Sequence, residues 1–353
     1  MFWLGYYLRL AEPLFKKNLV MLIFFVTSRC NSKCKMCFYW RQRSREDELT
    51  LQEIEEITQK TPNFTHLMIS GGEPYLRKDL PEIVQSFTNN NDIKFLTIPT
   101  NATLPRIVYD QTRKILETCD LKHFNVALAV DGIKEKHDEI RGFPENFKLM
   151  QQTYKYLCLL RKEFPNFAIS TVTTCSIYNQ KELLNIYRYV KRFLRIDNFV
   201  INLCRGKPRE PEAKNVDIRY YEDLINVLDK EIMNGLWRYS FRGAGLWKRK
   251  DVLQHRLILR TFRERRRIIP CYAGRLGLVL NEIGDVFPCE LLAEAFGNVR
   301  HFDYEIKKIL SQEHVKNVCR WITESCFCTH ECWFGLNLLH NPKEFLKVLV
   351  SKR

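Results

Sequence analysis

The amino-acid sequence predicts an α/β fold built on a partial, open (β/α)6 TIM-like barrel. Between residues 20 and 204, short apolar runs rich in β-branched residues alternate with segments of helical period. Six such units occur, too few for a closed eight-fold barrel. The chain is 45% hydrophobic, which supplies enough apolar mass for a large core and excludes a disordered protein.

The barrel elements follow one another in a regular order. The predicted strands are Val20–Thr27, His66–Ser70, Lys94–Thr100, Asn125–Asp131, Phe167–Thr174 and Phe199–Cys204. The predicted helices are Leu49–Lys60, Asp79–Asn89, Pro105–Thr118, Phe147–Phe164 and Lys181–Arg195. Thr50 and Glu53 form a capping box that starts the first helix. Because the strands are continuously apolar, we expect a parallel sheet with functional residues at its carboxyl edge.

Three further segments surround this core. Residues 1–19 form an aromatic and basic extension, expected to pack as a helix on the domain or, alternatively, to contact a membrane surface or a partner. No signal peptide and no run of ~20 apolar residues is present, so the protein is expected in the cytoplasm. Residues 205–269 begin with a charged linker or active-site loop and continue as helices. They end in a basic run, which is either a solvated helix face or a site for phosphate or a peptide leader: Arg263, Arg265, Arg266 and Arg267.

Charge and cysteine content restrict the function. Lys+Arg 56 against Asp+Glu 41 gives a net charge of +15, which favours acidic partners. No aromatic-and-basic RNA module accompanies this charge, so nucleic acid is not expected as a partner. The 13 cysteines are odd in number and clustered within 353 residues, which indicates metal binding instead of disulfides.

The first cysteine cluster directly follows the first strand. Cys30, Cys34 and Cys37 have the spacing C-x3-C-x2-C. Three thiolates on one short loop can hold three irons of a [4Fe–4S] cluster and leave the fourth iron open to a small molecule. A structural zinc site needs four ligands, and this loop offers no fourth cysteine or histidine. The neighbouring Arg29, Lys33 and Lys35 are expected to favour thiolates.

This loop, CNSKCKMC after the first strand of an α/β pattern, resembles that of the radical S-adenosylmethionine (SAM) superfamily. The resemblance implies that the GGEP segment after the second strand contacts the SAM amine. It also implies that Asp131 faces the ribose and Arg141 approaches the carboxylate, whereas Thr173 is either a SAM contact or a plain sheet-end threonine. The implied cofactor-binding residues are Gly71, Gly72, Glu73, Thr100, Asn101, Asp131, Arg141 and Thr173.

The second cysteine cluster lies in residues 270–353, a predicted domain with a β-hairpin and helices. Cys271, Gly284 and Cys289 resemble the opening C-x9–15-G-x4-C of the SPASM domain, a cluster-binding extension of many radical SAM enzymes. The remainder departs from that pattern, because Ile322 replaces a cysteine and no cysteine follows Cys332. The resemblance therefore implies one auxiliary [4Fe–4S] cluster, with a structural zinc site as the alternative. Its implied ligands are Cys271, Cys289, Cys332 and either Cys326 or Cys328, unless the last position is open to substrate.

The resemblance implies reductive cleavage of SAM to a 5′-deoxyadenosyl radical, which takes hydrogen from a peptide or a small hydroxylated molecule. A flavodoxin- or ferredoxin-type protein would donate the electron. A tRNA-modifying radical SAM enzyme and a non-catalytic iron–sulfur or zinc scaffold are the alternatives. No catalytic base is assigned, and Glu290 is expected to have an ordinary surface role. The four remaining cysteines of the barrel region are expected to be small buried hydrophobes.

Overall fold

The structure is a computed structural model that describes residues 19–42, 47–235 and 244–350. Nearly all of the predicted N-terminal extension, residues 1–19, lies outside the described residues, so its predicted helix is not addressed. Among the described helices, none combines the length and the apolar character that crossing a bilayer requires.

One nine-stranded sheet organises the molecule, in the order β6-β5-β4-β3-β2-β1-β7-β8-β9. Its strands are β1 Met21–Thr27, β2 His66–Gly71, β3 Phe95–Thr100, β4 His123–Ala129, β5 Phe167–Cys175, β6 Asn198–Leu203, β7 Gly277–Leu280, β8 Asp285–Phe287 and β9 Gly297–Asn298. The first six strands are parallel, which confirms the partial barrel predicted from the sequence. Each lies within two residues of its predicted start.

Helices cover this sheet in the alternating order that the sequence predicts. They are α1 Leu51–Lys60, α2 Leu80–Asn91, α3 Pro105–Thr118, α4 Glu135–Arg141, α5 Asn146–Glu163, α6 Leu183–Phe193, α7 Ile218–Met233, α8 Ala244–Glu264, α9 Ile306–Leu310, α10 Glu313–Glu324, α11 Glu331–His340 and α12 Pro342–Val350. The capping box of Thr50 and Glu53 is formed as predicted. The short helix α4 was not predicted as a helix, because its seven residues are mostly charged.

The C-terminal hairpin continues the barrel sheet. β7 pairs in parallel with β1, with Met21 opposite Gly277, and β8 folds back antiparallel on β7. All seven residues of β1 are therefore buried, between neighbours on both edges and helices on the faces. The sequence predicted the hairpin, but not that it joins the barrel sheet.

An ion pair between Arg300 and Glu53 links the segment after β9 to α1. Arg300 Nε lies 2.6 Å from Glu53 Oε1, Arg300 Nη2 lies 3.1 Å from Glu53 Oε2, and Tyr304 donates to the same carboxylate at 3.2 Å. The Arg300 guanidinium is the main reason that the pKa of Glu53 falls from its usual 4.5 to about 2.

Because the folded-state pKa of Glu53 is depressed, its contribution to stability is present above pH 4.5 and is lost as the pH falls towards 2. Glu53→Gln should therefore lower the unfolding free energy near pH 6 by roughly 1–2 kcal/mol. The loss should shrink progressively below pH 4.5 in urea titrations of the metal-free protein.

Glu313→Gln is the control, since Glu313 also begins a helix but pairs with Lys316 at the exposed surface. Its effect should be much smaller. Equal losses in the two variants would contradict a stabilising link through Glu53.

Candidate active site

The first cysteine loop is held by the ends of β3 and α4. Asn101 Nδ2 donates to Asn31 Oδ1 at 2.7 Å and to Ser32 Oγ at 3.1 Å. The Lys33 backbone N–H donates to the Arg141 carbonyl at 3.0 Å, and that of Lys35 donates to the neighbouring Ile140 carbonyl at 3.0 Å. These bonds keep all three cysteines of the loop on the wall of one cavity.

The paired glycines after β2 fit against the backbone that leads into this loop. Gly72 N–H donates to the Thr27 carbonyl and Glu73 N–H to the Arg29 carbonyl, both at 2.8 Å. A Cβ atom on Gly72 would lie 2.0 Å from the Arg29 carbonyl oxygen. Gly71 has φ +121°, a conformation that favours glycine. Both glycines therefore shape the cysteine loop as well as the cavity wall.

Glu73 presents a buried carboxylate, only 1% exposed, to the cavity. It accepts hydrogen bonds from Thr100 Oγ1 at 2.8 Å, Asn101 N at 2.7 Å and Tyr75 N at 3.3 Å. Burial raises its pKa despite these bonds. An ionised carboxylate has about four acceptor sites, so capacity remains for an ammonium group.

Asp131 and Arg141 form a buried ion pair at the ends of β4 and α4. Arg141 Nη1 lies 3.0 Å from Asp131 Oδ2, and Asp131 Oδ1 accepts from Thr174 N at 2.7 Å. Arg141 lines the cavity, and its buried Nε has no hydrogen-bond partner among the described residues. Thr173 turns away from the cavity and donates to the Val130 carbonyl at 2.6 Å. Successive side chains of a strand point to opposite faces, so the neighbouring Thr174 lines the cavity in place of Thr173.

Arg141 is a cation beside the cysteine loop that the sequence did not indicate. Arg29 lies 3.4 Å from Glu48 and Lys35 lies 2.8 Å from Glu139, while Lys33 is exposed. The Arg141 charge acts on the Cys30 and Cys34 thiols instead. Burial raises the pKa of Cys30, and the Arg141 charge opposes that rise.

The cavity contains about 1170 Å³ of space and adjoins a second chamber of about 1000 Å³. Phe25, Phe38 and Tyr39 line both spaces. The rest of the second chamber's lining is mixed: Val279, Phe287, Leu291, Leu292 and Ala293 are apolar, whereas Arg41, Lys207, Asn281 and Glu290 are polar or charged.

Residues 205–215, predicted as a linker or an active-site loop, are hydrogen-bonded to the first cysteine loop. Arg209 N–H donates to the Cys37 carbonyl at 3.0 Å, and Glu210 N–H donates to the Lys35 carbonyl at 2.9 Å. The loop therefore lies against the first cysteine loop, and its first residue, Arg205, lines the cavity.

Four of the six C-terminal cysteines are linked to one another. Cys271, Cys326 and Cys328 line a small cavity of about 340 Å³. The Cys289 thiol interacts electrostatically with Cys328 and Cys271. Cys332 instead interacts with Glu331, Glu290 and Arg205, and Cys319 donates to the Gly274 carbonyl at 3.5 Å. Burial raises the pKa of Cys328 to about 12, so metal binding there must release protons.

Four buried ionisable side chains lie between the barrel and these cysteines. Glu290 Oε1 lies 2.6 Å from His330 Nε2, and Trp333 Nε1 donates to Glu290 Oε2 at 3.2 Å. Arg205 Nη2 donates to Glu331 Oε1 at 3.0 Å. Burial alone would raise the pKa of Glu290, but His330 and Arg205 lower it to about 2.

The expected surface role of Glu290 is therefore wrong, since its side chain is only 6% exposed. No sequence spacing indicated its partners. Ligand atoms of Cys289, Glu290 and His330 lie within 4.8 Å of one another, as do those of His330, Glu331 and Cys332. This arrangement is also compatible with the alternative of a zinc site.

Comparison with known proteins identifies the family. The model of the Radical SAM superfamily matches residues 24–190, which include the cysteine loop and the ends of β1 to β5. Residues 24–190 form a radical SAM domain. As a radical SAM enzyme the protein uses a [4Fe–4S] cluster and SAM, and its cysteine-rich C-terminal region fits an auxiliary cluster.

Two relatives illustrate the range of the family. The Probable GTP 3',8-cyclase of Methanococcus maripaludis is 28% identical over 234 residues, which cover 62% of this chain and 72% of the relative. The Fe-coproporphyrin III synthase of Methanosarcina barkeri is 32% identical over 130 residues, which cover 36% of this chain and 31% of the relative.

Solved structures share the fold over most of the chain. Native anSMEcpe with bound AdoMet and Cp18Cys peptide has a TM-score of 0.61 at 19% identity, covering 91% of this chain and 88% of the other. SuiB of Streptococcus suis bound to precursor peptide SuiA has a TM-score of 0.61 at 15% identity, covering 88% of this chain and 70% of SuiB. The likeness in fold therefore extends into the C-terminal region of this chain.

The close approach at Gly72 generates a test. Gly72→Ala should displace the entry to the cysteine loop, because the added Cβ would overlap the Arg29 carbonyl. We expect about four fewer irons per chain after anaerobic reconstitution with iron and sulfide, counted by chemical analysis.

Gly245→Ala is the matched control, because nothing lies within 4 Å of its added Cβ. It should retain the iron content of the unaltered protein. Full iron loading of Gly72→Ala, with normal SAM cleavage, would contradict this role of the glycine.

Proposed function

We propose that this radical SAM enzyme is an oxidoreductase or maturase that abstracts hydrogen from a peptide or a small hydroxylated molecule. The observation that supports it most is that two cavities share the wall of Phe25, Phe38 and Tyr39. One is lined by Cys30, Cys34 and Cys37, and the other reaches Glu290 beside Cys289. When bound, the reduced cluster and SAM supply a 5′-deoxyadenosyl radical that takes a hydrogen atom from the substrate.

The chain's own residues would hold and orient SAM. Cys30, Cys34 and Cys37 would ligate three irons of the first cluster. Glu73 would accept a hydrogen bond from the SAM amine, since its carboxylate has acceptor capacity left. Arg141 would approach the SAM carboxylate through its unpartnered Nε, and Asp131 would orient that guanidinium near the ribose.

The substrate would occupy the second chamber. Its walls combine aromatic and aliphatic residues with Arg41, Lys207 and Asn281, which favours a substrate that presents both an apolar and a polar or acidic group past Phe25 and Phe38. The relatives carry the names of a GTP cyclase and an Fe-coproporphyrin III synthase, and the solved neighbours hold peptides. We favour a peptide or a small hydroxylated molecule, with a flavodoxin- or ferredoxin-type protein as the electron donor.

The auxiliary cluster would be held by Cys271, Cys289, Cys326 and Cys328. This set revises the ligands implied by the SPASM resemblance, because Cys289 interacts with Cys328 and Cys271, whereas Cys332 interacts with Glu331, Glu290 and Arg205. Four thiolates occupy every iron of a [4Fe–4S] cluster. Such a cluster has no iron open to substrate, which favours a role in electron transfer.

Metal analysis distinguishes these ligand sets. The reconstituted protein should hold about eight irons per chain, Cys326→Ala about four, and Cys332→Ala about eight. If Cys332→Ala loses iron and Cys326→Ala does not, the revised set is wrong. One zinc with about four irons would instead support the zinc alternative.

The reaction class is tested at the first cluster. Cys34→Ala should abolish formation of 5′-deoxyadenosine from SAM under reducing conditions, measured by liquid chromatography. The reason is that one iron of the first cluster then lacks its cysteine ligand. Cys119→Ala is the control, as that cysteine lies at the end of α3, away from both cysteine clusters. An unchanged yield in Cys34→Ala would refute the assignment of the site.

A further inference from the structure

Arg267 behaves differently from the other arginines of its basic run. Arg263 pairs with Glu222 and Arg266 with Glu264, and both are about half exposed or more, as expected for a solvated face. Arg267 follows the end of α8 and turns inward. It lines the small cavity beside Cys271, Cys326 and Cys328.

One nitrogen of Arg267 has no partner. Its Nη1 is buried and makes no hydrogen bond to any described residue. A buried guanidinium N–H without an acceptor is costly, so an acceptor is expected at this position when the protein is complete.

The cavity wall indicates what that acceptor is. Trp333 offers only a donor, and Asn337 Oδ1 already accepts from Tyr272 N at 2.9 Å. The wall also holds the Thr261 hydroxyl, which makes no hydrogen bond to a described residue, and the sulfurs of Cys271, Cys326 and Cys328. Among these acceptors the Arg267 charge acts on the sulfurs, because it lowers the pKa of Cys271 and of Cys326, although burial raises both more strongly.

We propose that Arg267 is a positioning residue that donates a hydrogen bond to the sulfur atoms of the auxiliary cluster and stabilises its reduced state. The inference rests on the proposed function, in which Cys271, Cys289, Cys326 and Cys328 hold that cluster. One-electron reduction adds a negative charge to the cluster. A buried cation at hydrogen-bond distance favours that charge and raises the reduction potential.

The test uses full-length protein in which Cys30, Cys34 and Cys37 are replaced by Ala, so that only the auxiliary cluster is reconstituted. In this background, Arg267→Gln should lower the ratio of reduced to oxidised cluster at a fixed potential by about tenfold. This change equals about 59 mV for a one-electron couple. The ratio is measured by EPR during an anaerobic redox titration.

Arg265→Gln is the matched control. It removes the same charge two residues earlier in the chain, where the Arg265 side chain is exposed and does not line the cavity. It should leave the ratio nearly unchanged. Equal shifts in the two variants, or no shift in Arg267→Gln, would overturn the proposal.

A second measurement decides the matter if Arg267→Gln fails to retain its cluster. Pulsed EPR of the unaltered Arg267 protein, labelled with ¹⁵N-arginine, should show coupling between a guanidinium nitrogen and the reduced cluster. Absence of that coupling would overturn the proposal. If the background protein holds no iron at all, the auxiliary cluster itself is refuted, a result distinct from failure of the Arg267 contact.

Discussion

The position of β1 between β2 and β7, inside the sheet, is the constraint on which both cysteine regions depend. It pairs with β2 on one edge and with β7 on the other. Its carboxyl end leads into the first cysteine loop, and β7 leads into the hairpin that ends at Cys289. The distance between the two cysteine regions is therefore set by the hydrogen-bond register between β1 and β7, and not by a linker.

Side-chain packing reinforces this arrangement. A Cβ atom on Gly277 of β7 would lie 2.5 Å from the Trp333 ring, so the indole rests directly on the strand. The same indole donates to Glu290, which pairs with His330. Removing these charges from water is costly unless their partners are well placed. The network therefore restricts how α11 can sit on the barrel, and it does so beside the proposed auxiliary ligands.

Much of the barrel is predictable from the sequence, because its information is local. Continuous apolar runs marked the six parallel strands, and Thr50 with Glu53 marked the start of α1. The cysteine spacing marked the first cluster, since its three ligands lie within eight residues. Helix α4 was missed because Glu135–Arg141 has little apolar periodicity, and its fit depends on contacts with the cysteine loop.

The long-range contacts of the site had no such local signal. Arg141 acts on Cys30 and Cys34 across more than a hundred residues, whereas the nearer Arg29 and Lys35 are paired with glutamates. Thr173 and Thr174 are equally polar in sequence, and only the register of β5 decides which one faces the cavity. Arg267 belongs to a basic run that is typical of a solvated helix face. After the end of α8, however, its side chain lies beside the cysteines of the small cavity.

The pairing of β7 with β1 also bears on how the molecule avoids association. β1 is apolar along nearly its whole length, and without β7 it would be an edge strand with unpaired backbone groups. Such an edge is a template for pairing with other chains. The C-terminal region thus covers the barrel as well as carrying cysteines, and the barrel by itself would be prone to aggregate.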